Sequence, residues 1–256
     1  YRALAARCKY ISMDRPDMHF AVKGACQEMA RPTVGAWSRL ERIGQYLKGR
    51  PRLIWHFDWQ GPVAILDVDA NANWAGCHRT RKSNSGGCVM MGRHCITTWS
   101  KSQAFIATSS AESELYGVVK ALCEALGSLI VAQALGQEMK SRVHAEVAAA
   151  KGIVERAARD MVRHIDVYVR WLQEQAVRCR VPLSKIDGNR NPAELMTKRI
   201  EATNIAIHLI TMNLVFKGGR AEAADQLYAM KAIDECDTSS QRRIVTLPCY
   251  CYKWKE

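Results

Sequence analysis

The sequence predicts an α/β domain of the α+β kind, built on one mixed sheet and preceded by a helical segment. Three observations lead there. Residues 1–50 carry apolar side chains at helical spacing. Between 53 and 99 the pattern changes to short β-rich runs separated by turns. From Ser109 onward strands and helices alternate. Strands first and alternation afterwards imply an antiparallel opening followed by βαβ-type connections.

Taken in order, Arg15-Pro16-Asp17 starts a helix with Pro in its first turn. Phe20, Ala21, Gly24, Ala25 and Met29 then share a face. Pro32-Thr33 starts a second helix, with Trp37, Leu40, Ile43 and Leu47 in register, and Gly49-Arg50-Pro51 ends it. Leu53 to Phe57 and Val63 to Asn71 read as strands, and Gly87–Met91 with Cys95–Trp99 as a hairpin around Gly92-Arg93-His94. Ser109 with Glu112 three residues later forms a capping box for a helix that runs to Leu135 and closes at Gly136. Arg142–Glu146 is a short strand, 148–158 and 163–176 are helices, Val181–Ile186 is a strand, and a helix begins at Asn191 with Pro192 at its start. The part after Gly218-Gly219 has weaker periodicity and is expected to be loosely attached.

The composition sets the class. At 48% hydrophobic and 24% charged, 256 residues suffice for one large domain with a buried core. A net charge of +12 favours a polyanionic partner, most simply nucleic acid, bound through its phosphates. The ten cysteines include no C-x-x-C pair, which argues against zinc and against a disulfide framework. Cys26 and Cys123 sit in apolar helical patterns and read as small buried hydrophobes. The expectation is a reduced, intracellular protein, cytoplasmic or nuclear, with no membrane partner. No stretch reads as a membrane span or a signal peptide. The chain opens at Tyr1 in mid-pattern, which suggests a fragment of a longer product.

The stretch LDVDANANWAGC, Leu66 to Cys77, places Asp67, Asp69, Asn71 and Asn73 on one face of a strand. Glu114 falls in the first turns of the long helix, Glu146 where a strand hands over to a helix, and Glu194 in the first turn after Asn191-Pro192. Acids at strand ends converge at one edge of a sheet, where they bind hard cations through oxygen and, with two of them, activate a water for attack on a phosphodiester. Each acid alone also fits a simpler role, since Glu in a first helical turn complements the helix dipole.

Several motifs resemble a known family. Tyr1–Tyr10, Arg15-Pro16-Asp17 with Phe20-Ala21-Val22, and Tyr46-Leu47-Lys48-Gly49 resemble the segment after the reverse transcriptase in copia-type (Ty1/copia) retrotransposon polyproteins. Asn73-Trp74-Ala75-Gly76-Cys77, Thr80–Gly87, Ser109–Tyr116, Arg163–Val167 and Asn191–Lys198 resemble, in order, the ribonuclease H domain of the same polyproteins. The resemblance spans residues 1–216. It implies a helical connection segment over 1–52 that follows a reverse transcriptase, a ribonuclease H-like domain over 53–216, and a tail over 217–256. It implies a mixed five-stranded sheet flanked by helices, and Mg²⁺- or Mn²⁺-dependent cleavage of the RNA strand of RNA–DNA hybrids. The implied partners are such hybrids or other nucleic acid, and the reverse transcriptase part of the same polyprotein.

The departures from that family fall on its acids. Its first metal-bridging Asp coincides with Asn71, its helix Glu is retained as Glu114, and its last two Asp coincide with Glu146 and Glu194. Asn offers one neutral oxygen in place of a bridging carboxylate. Glu for Asp moves the charge by about one bond, on the order of 1.5 Å, against a catalytic tolerance of about 0.5 Å. The resemblance thus names Asn71, Glu114, Glu146 and Glu194 as the catalytic and metal positions, with metal binding weakened. Asp69 would substitute for Asn71 only through a two-residue slip, about 6.6–6.8 Å along the strand. Arg79, Arg81 and Lys82, with Ser83 and Ser85, either hold hybrid phosphates or form a solvated basic turn. Trp99 and Lys101 track the hybrid backbone or, for Trp99, belong to the core. His164 contacts nucleic acid, pairs with Asp166 or caps a helix. The alternative to an enzyme is an inactive binding or structural remnant of the domain.

Overall fold

The computed structural model describes residues 1–146 and 181–219, together with Trp171 and Glu174. The expected helices at 148–158 and 163–176, His164, and the tail from 220 onward lie outside these residues. Tyr1–Arg220 form one compact unit.

The N-terminal segment folds as three helices, α1 (Arg2–Ile11), α2 (His19–Cys26) and α3 (Val34–Gly49). Pro16 opens a single 3-10 turn before α2, where its fixed φ and missing N–H are harmless. Thr33 caps α3 by accepting from the Ala36 N–H at 3.1 Å. Met18, Val22, Ala25, Leu40 and Ile43 are buried together as a core of their own. This segment also grips the sheet. Lys23 Nζ donates to Asn84 Oδ1 at 2.6 Å, Gln27 Nε2 to Ser102 Oγ at 2.7 Å, and Trp55 Nε1 to the Asp14 carbonyl at 2.9 Å.

Five strands form the main sheet: β2 (Ile65–Asn73), β3 (Asn84–Met91), β4 (His94–Ser102), β5 (Lys140–Ala145) and β6 (Leu183–Lys185). Their order is β4-β3-β2-β5-β6. β2, β3 and β4 pair antiparallel, while β5 lies parallel to β2 and β6 parallel to β5. This is the mixed five-stranded sheet with flanking helices that the sequence motifs imply, an α+β architecture. The first predicted strand is not part of it. β1 (Arg52–Trp55) pairs instead with β7 (Leu214–Lys217) as a separate two-stranded sheet.

Helix α4 (Ser110–Ala134) covers one face of the main sheet. Ser109 accepts from the Glu112 N–H at 3.1 Å, as its spacing predicts. The Glu112 carboxylate turns to Thr108, taking its N–H at 2.6 Å and its hydroxyl at 2.7 Å. By length and composition α4 is apolar enough to cross a membrane, contrary to the reading of the sequence. Leu115, Val118, Ala121, Leu122 and Ala125 of its inner face are nevertheless buried on Leu66, Val68, Ala70, Val89 and Val143 of the sheet. The other sheet face carries a second core of Cys88, Met90, Cys95, Leu195, Met196, Leu209, Met212 and Leu214.

Two boundaries differ from expectation. The helix predicted from Asn191 is two helices, α5 (Glu194–Thr197) and α6 (Ala202–Thr211), because Lys198 adopts an extended conformation. Cys123, expected inside, is exposed on α4, whereas Cys88 and Cys95 are buried. The helical spacing gave Cys123 an apolar neighbourhood in sequence that the packed face does not include.

Candidate functional site

Strand β2 decides the geometry, because its alternation sends Leu66, Val68 and Ala70 into the core beneath α4 and the polar row to the opposite face. That row deepens along the strand. Asp67 is half-buried and takes hydrogen bonds from Arg142 Nε at 2.7 Å and His144 Nε2 at 2.8 Å. Burial pushes its carboxyl up, but those two partners outweigh burial and hold it below the usual range. Asp69 is only 8% exposed and its Oδ2 accepts from the Cys88 thiol at 3.6 Å. Burial pushes Asp69 up to about 6, partly offset by His144. Asn71 is buried, and its Nδ2 donates to the Thr197 hydroxyl at 2.7 Å. Along this row the hydrogen-bond partners change from Arg142 and His144 at Asp67, to a thiol at Asp69, to a hydroxyl at Asn71. An uncharged side chain at position 71 leaves no unpaired ion where only a hydroxyl is at hand.

Helix α5 is held against this strand end by its own polar groups. Asn191 Nδ2 donates to the Ala70 carbonyl at 2.8 Å, and its Oδ1 accepts from the Ala193 N–H at 3.0 Å. Ser100 Oγ hydrogen-bonds the Met196 carbonyl at 2.5 Å, and Thr197 Oγ1 donates to the Glu194 carbonyl at 3.2 Å. Glu194 opens the helix and its carboxylate pairs with Lys198 Nζ at 2.7 Å.

Glu114 reaches the same region from the α4 side. It is half-buried, with the Ala72 backbone favouring its charged form. Burial first, then the charge of Glu146, push its carboxyl up to about 8, and Lys198 pulls the other way. Glu146 stands exposed just past the end of β5. Glu114 thus feels the charges of both Glu146 and Lys198, and Lys198 is itself paired with Glu194. Among the described residues no three His, Cys, Asp or Glu side chains lie close enough together to share a metal ion. The sequence reading missed Thr197 and Lys198. The four-residue step from Glu194 to Lys198 was a usable signal for an ion pair, whereas nothing local announces that Thr197 meets Asn71.

The expected nucleic-acid residues divide. Arg79 and Arg81 are exposed in the loop after β2, and Lys101 is exposed on β4. Lys82 folds back, its Nζ donating to the Ala104 carbonyl at 2.7 Å. The hydroxyls of Ser83 and Ser85 are turned inward. Ser83 Oγ accepts from the Ala75 N–H at 3.0 Å, and Ser85 Oγ from Gln103 Nε2 at 2.8 Å. Trp99 packs on the core beside Gly87.

Asp69 provides a pH signature. Its folded pKa lies above the unfolded value of 3.8, so its stabilising contribution is present in acid and is lost as pH rises from about 4 through about 6. Asp69→Asn is expected to raise stability at pH 8 by up to about 3 kcal/mol and to flatten the pH dependence across that window. Urea melts of both proteins from pH 4 to pH 8 measure it, and equal slopes of stability against pH would refute it.

Comparison with known proteins adds context to this geometry. No family model matches the chain. It is 34% identical over 116 residues to an uncharacterized mitochondrial protein of Arabidopsis thaliana, AtMg00810, covering 44% of this chain and 47% of that protein. It is 33% identical over 126 residues to the retrovirus-related Pol polyprotein from transposon RE2 of the same plant, covering 48% of this chain and 8% of the polyprotein. It is 28% identical over 189 residues to the Pol polyprotein from transposon TNT 1-94 of Nicotiana tabacum, covering 72% of this chain and 14% of the polyprotein. The chain therefore spans about half of the mitochondrial relative and a small part of each polyprotein. Among solved structures it is similar to the N-terminal ribonuclease H domain of rv2228c from Mycobacterium tuberculosis, at 18% identity and a TM-score of 0.37, over 53% of this chain and 91% of that one. The relatives of this chain include Pol polyproteins of copia-type transposons.

Proposed function

We propose that this chain is the ribonuclease H-like segment of a copia-type Pol polyprotein that binds RNA–DNA hybrid inside the cell, in the cytoplasm or nucleus, but cleaves its RNA strand poorly. The observation that carries the reading is Asn71, a buried amide hydrogen-bonded to Thr197 at the strand end where a bridging carboxylate is required. As arranged, the donor set does not fit a pair of divalent cations. Glu194 is committed to Lys198, Glu146 stands exposed past its strand, and Asn71 carries no charge. Mg²⁺ or Mn²⁺ would supply water activation and charge stabilisation at such a site. What these residues supply themselves is a fold, a basic surface and one retained helix carboxylate, Glu114.

The reading has two parts, and both are measurable on the full chain. Binding of a labelled RNA–DNA hybrid, followed by fluorescence anisotropy, is expected to weaken steeply with salt, as phosphate contacts dictate. Hydrolysis of its RNA strand, in Mg²⁺ and separately in Mn²⁺, is expected to be near background. Salt-dependent binding with negligible cleavage supports the reading. Brisk cleavage by the chain as it stands overturns the impairment, and absence of hybrid binding overturns the nucleic-acid role. A reverse transcriptase from the same polyprotein is the proposed protein partner.

A further inference from the structure

A groove of about 410 Å³ opens where the N-terminal helices meet α5 and α6, within the size range of small-ligand sites. Its floor is apolar, with Met18, Ile43, Leu195, Ile200 and Ile205, and Phe20 and Tyr46 add aromatic surface. Its rim is cationic: Arg39, Arg42, Lys198 and Arg199. The one acid in the lining, Asp17, has both oxygens held by Arg15, from Nε at 3.0 Å and a terminal nitrogen at 2.8 Å. Arg39 pairs with Glu28 and Lys198 with Glu194. Arg42 and Arg199 are exposed and have no ion-pair partner among the described residues. The groove therefore has a greasy, partly aromatic interior and a positive lip. It is continuous with the candidate site through Lys198, which lines the groove and reaches back to Glu194.

We infer that this groove holds an unpaired nucleotide of a single-stranded extension running off the end of a bound hybrid. A nucleobase presents a flat apolar face and its backbone a phosphate one residue away. Apolar and aromatic surface beside guanidinium groups is the arrangement that binds single strands without reading their sequence. The inference rests on the hybrid-binding reading above and deepens it by naming the preferred substrate, a hybrid with an overhang. It also gives the N-terminal helices a role at the site, since α2 and α3 build one wall of the groove.

The test compares affinities of the full chain, without divalent metal, for a blunt RNA–DNA hybrid, the same hybrid with a short single-stranded extension, and the extension strand alone. The overhang is expected to tighten binding about tenfold. Ala21→Leu narrows the groove from an exposed position on α2, and the pair Arg42→Glu and Arg199→Glu reverses the lip. Each is expected to erase the overhang increment. Ala21→Leu is expected to leave blunt-hybrid affinity unchanged, and circular dichroism checks that each variant is folded. An absent increment, or one that survives both changes, overturns the inference. If blunt hybrid is not bound at all, the reading of the previous subsection fails. In that case the groove is judged by whether the extension strand alone binds and loses affinity in both variants; its failure to do so overturns the inference as well.

Discussion

Placing aspartate together at positions 71, 146 and 194 is, on the proposed function, expected to raise cleavage of the RNA strand of a hybrid in Mg²⁺ by at least about a hundredfold over the chain as it stands. The magnitude follows from geometry, since a misplacement of about 1 Å in a catalytic group costs on that order. Asn71→Asp places a negative charge at the deepest point of the polar row, where the Thr197 hydroxyl must turn its proton from the Glu194 carbonyl to meet it. Glu146→Asp and Glu194→Asp draw the other two carboxylates back by one bond. The shorter side chain at 194 also loosens the pairing with Lys198, now 2.7 Å from Glu194. Asn71→Asp alone is expected to recover only part of the gain. Adding Glu114→Gln to the triple variant is expected to abolish it. A triple variant that binds hybrid and stays silent would remove these positions from the catalytic assignment. Activity in the unaltered chain that is lost on Asp69→Asn would instead point to the Asp67–Asp69 pair. The buried contact of Asp69 with Cys88, two residues back along the strand, argues against that outcome.

Gly87→Ala is expected to destabilise the fold by about 3 kcal/mol or more, the upper end for overpacking a closed interior. A Cβ at Gly87 would lie 2.3 Å from the Asp69 carbonyl oxygen and 2.3 Å from a ring carbon of Trp99. One obstacle is a side chain and the other is backbone in the central strand, so the clash has no single cheap relief. Trp99→Leu in the same protein is expected to restore only part of the loss, since the Asp69 carbonyl stays in place. Urea unfolding of the single and double variants measures both numbers, and a Gly87→Ala protein within 0.5 kcal/mol of the parent (about the ordinary surface range) would contradict the packing described. The same variant should lower hybrid affinity only through its unfolded fraction.

What was legible in the sequence is what local chemistry dictates. Thr33 and Ser109 cap the helices their spacing announces, and Gly136, at a φ of +75°, sits where the long helix closes. The alternation of β2 was equally plain. Its orientation was not, because period two says that Leu66 and Asp67 point apart without saying which of them faces α4. Ser83 and Ser85 read as hydroxyls available to phosphate, yet their partners, the Ala75 N–H and Gln103, are supplied by the turn before them and by the end of β4. Strand β7 has no local signal in the sequence, since Leu214–Phe216 becomes a strand only by pairing with Leu53–Trp55 far upstream. At the candidate site the same division holds. Motif order proposes positions 71, 114, 146 and 194. The Lys198 that pairs with Glu194 and the hydroxyl that holds Asn71 appear only once α5 is folded against the sheet.

The small sheet of β1 and β7 fixes where the chain enters and leaves the main sheet. Arg52 and Lys217 are register partners, so the chain enters and leaves the main sheet through adjacent strands. The intervening polypeptide is an excursion that begins and ends at the same place. Units with neighbouring ends can be spliced into, or lifted out of, a host sequence without stretching either flank. The clasp thus closes the stretch from Arg52 to Lys217 on itself, while the helices before it stay fastened to that stretch through Lys23 and Gln27.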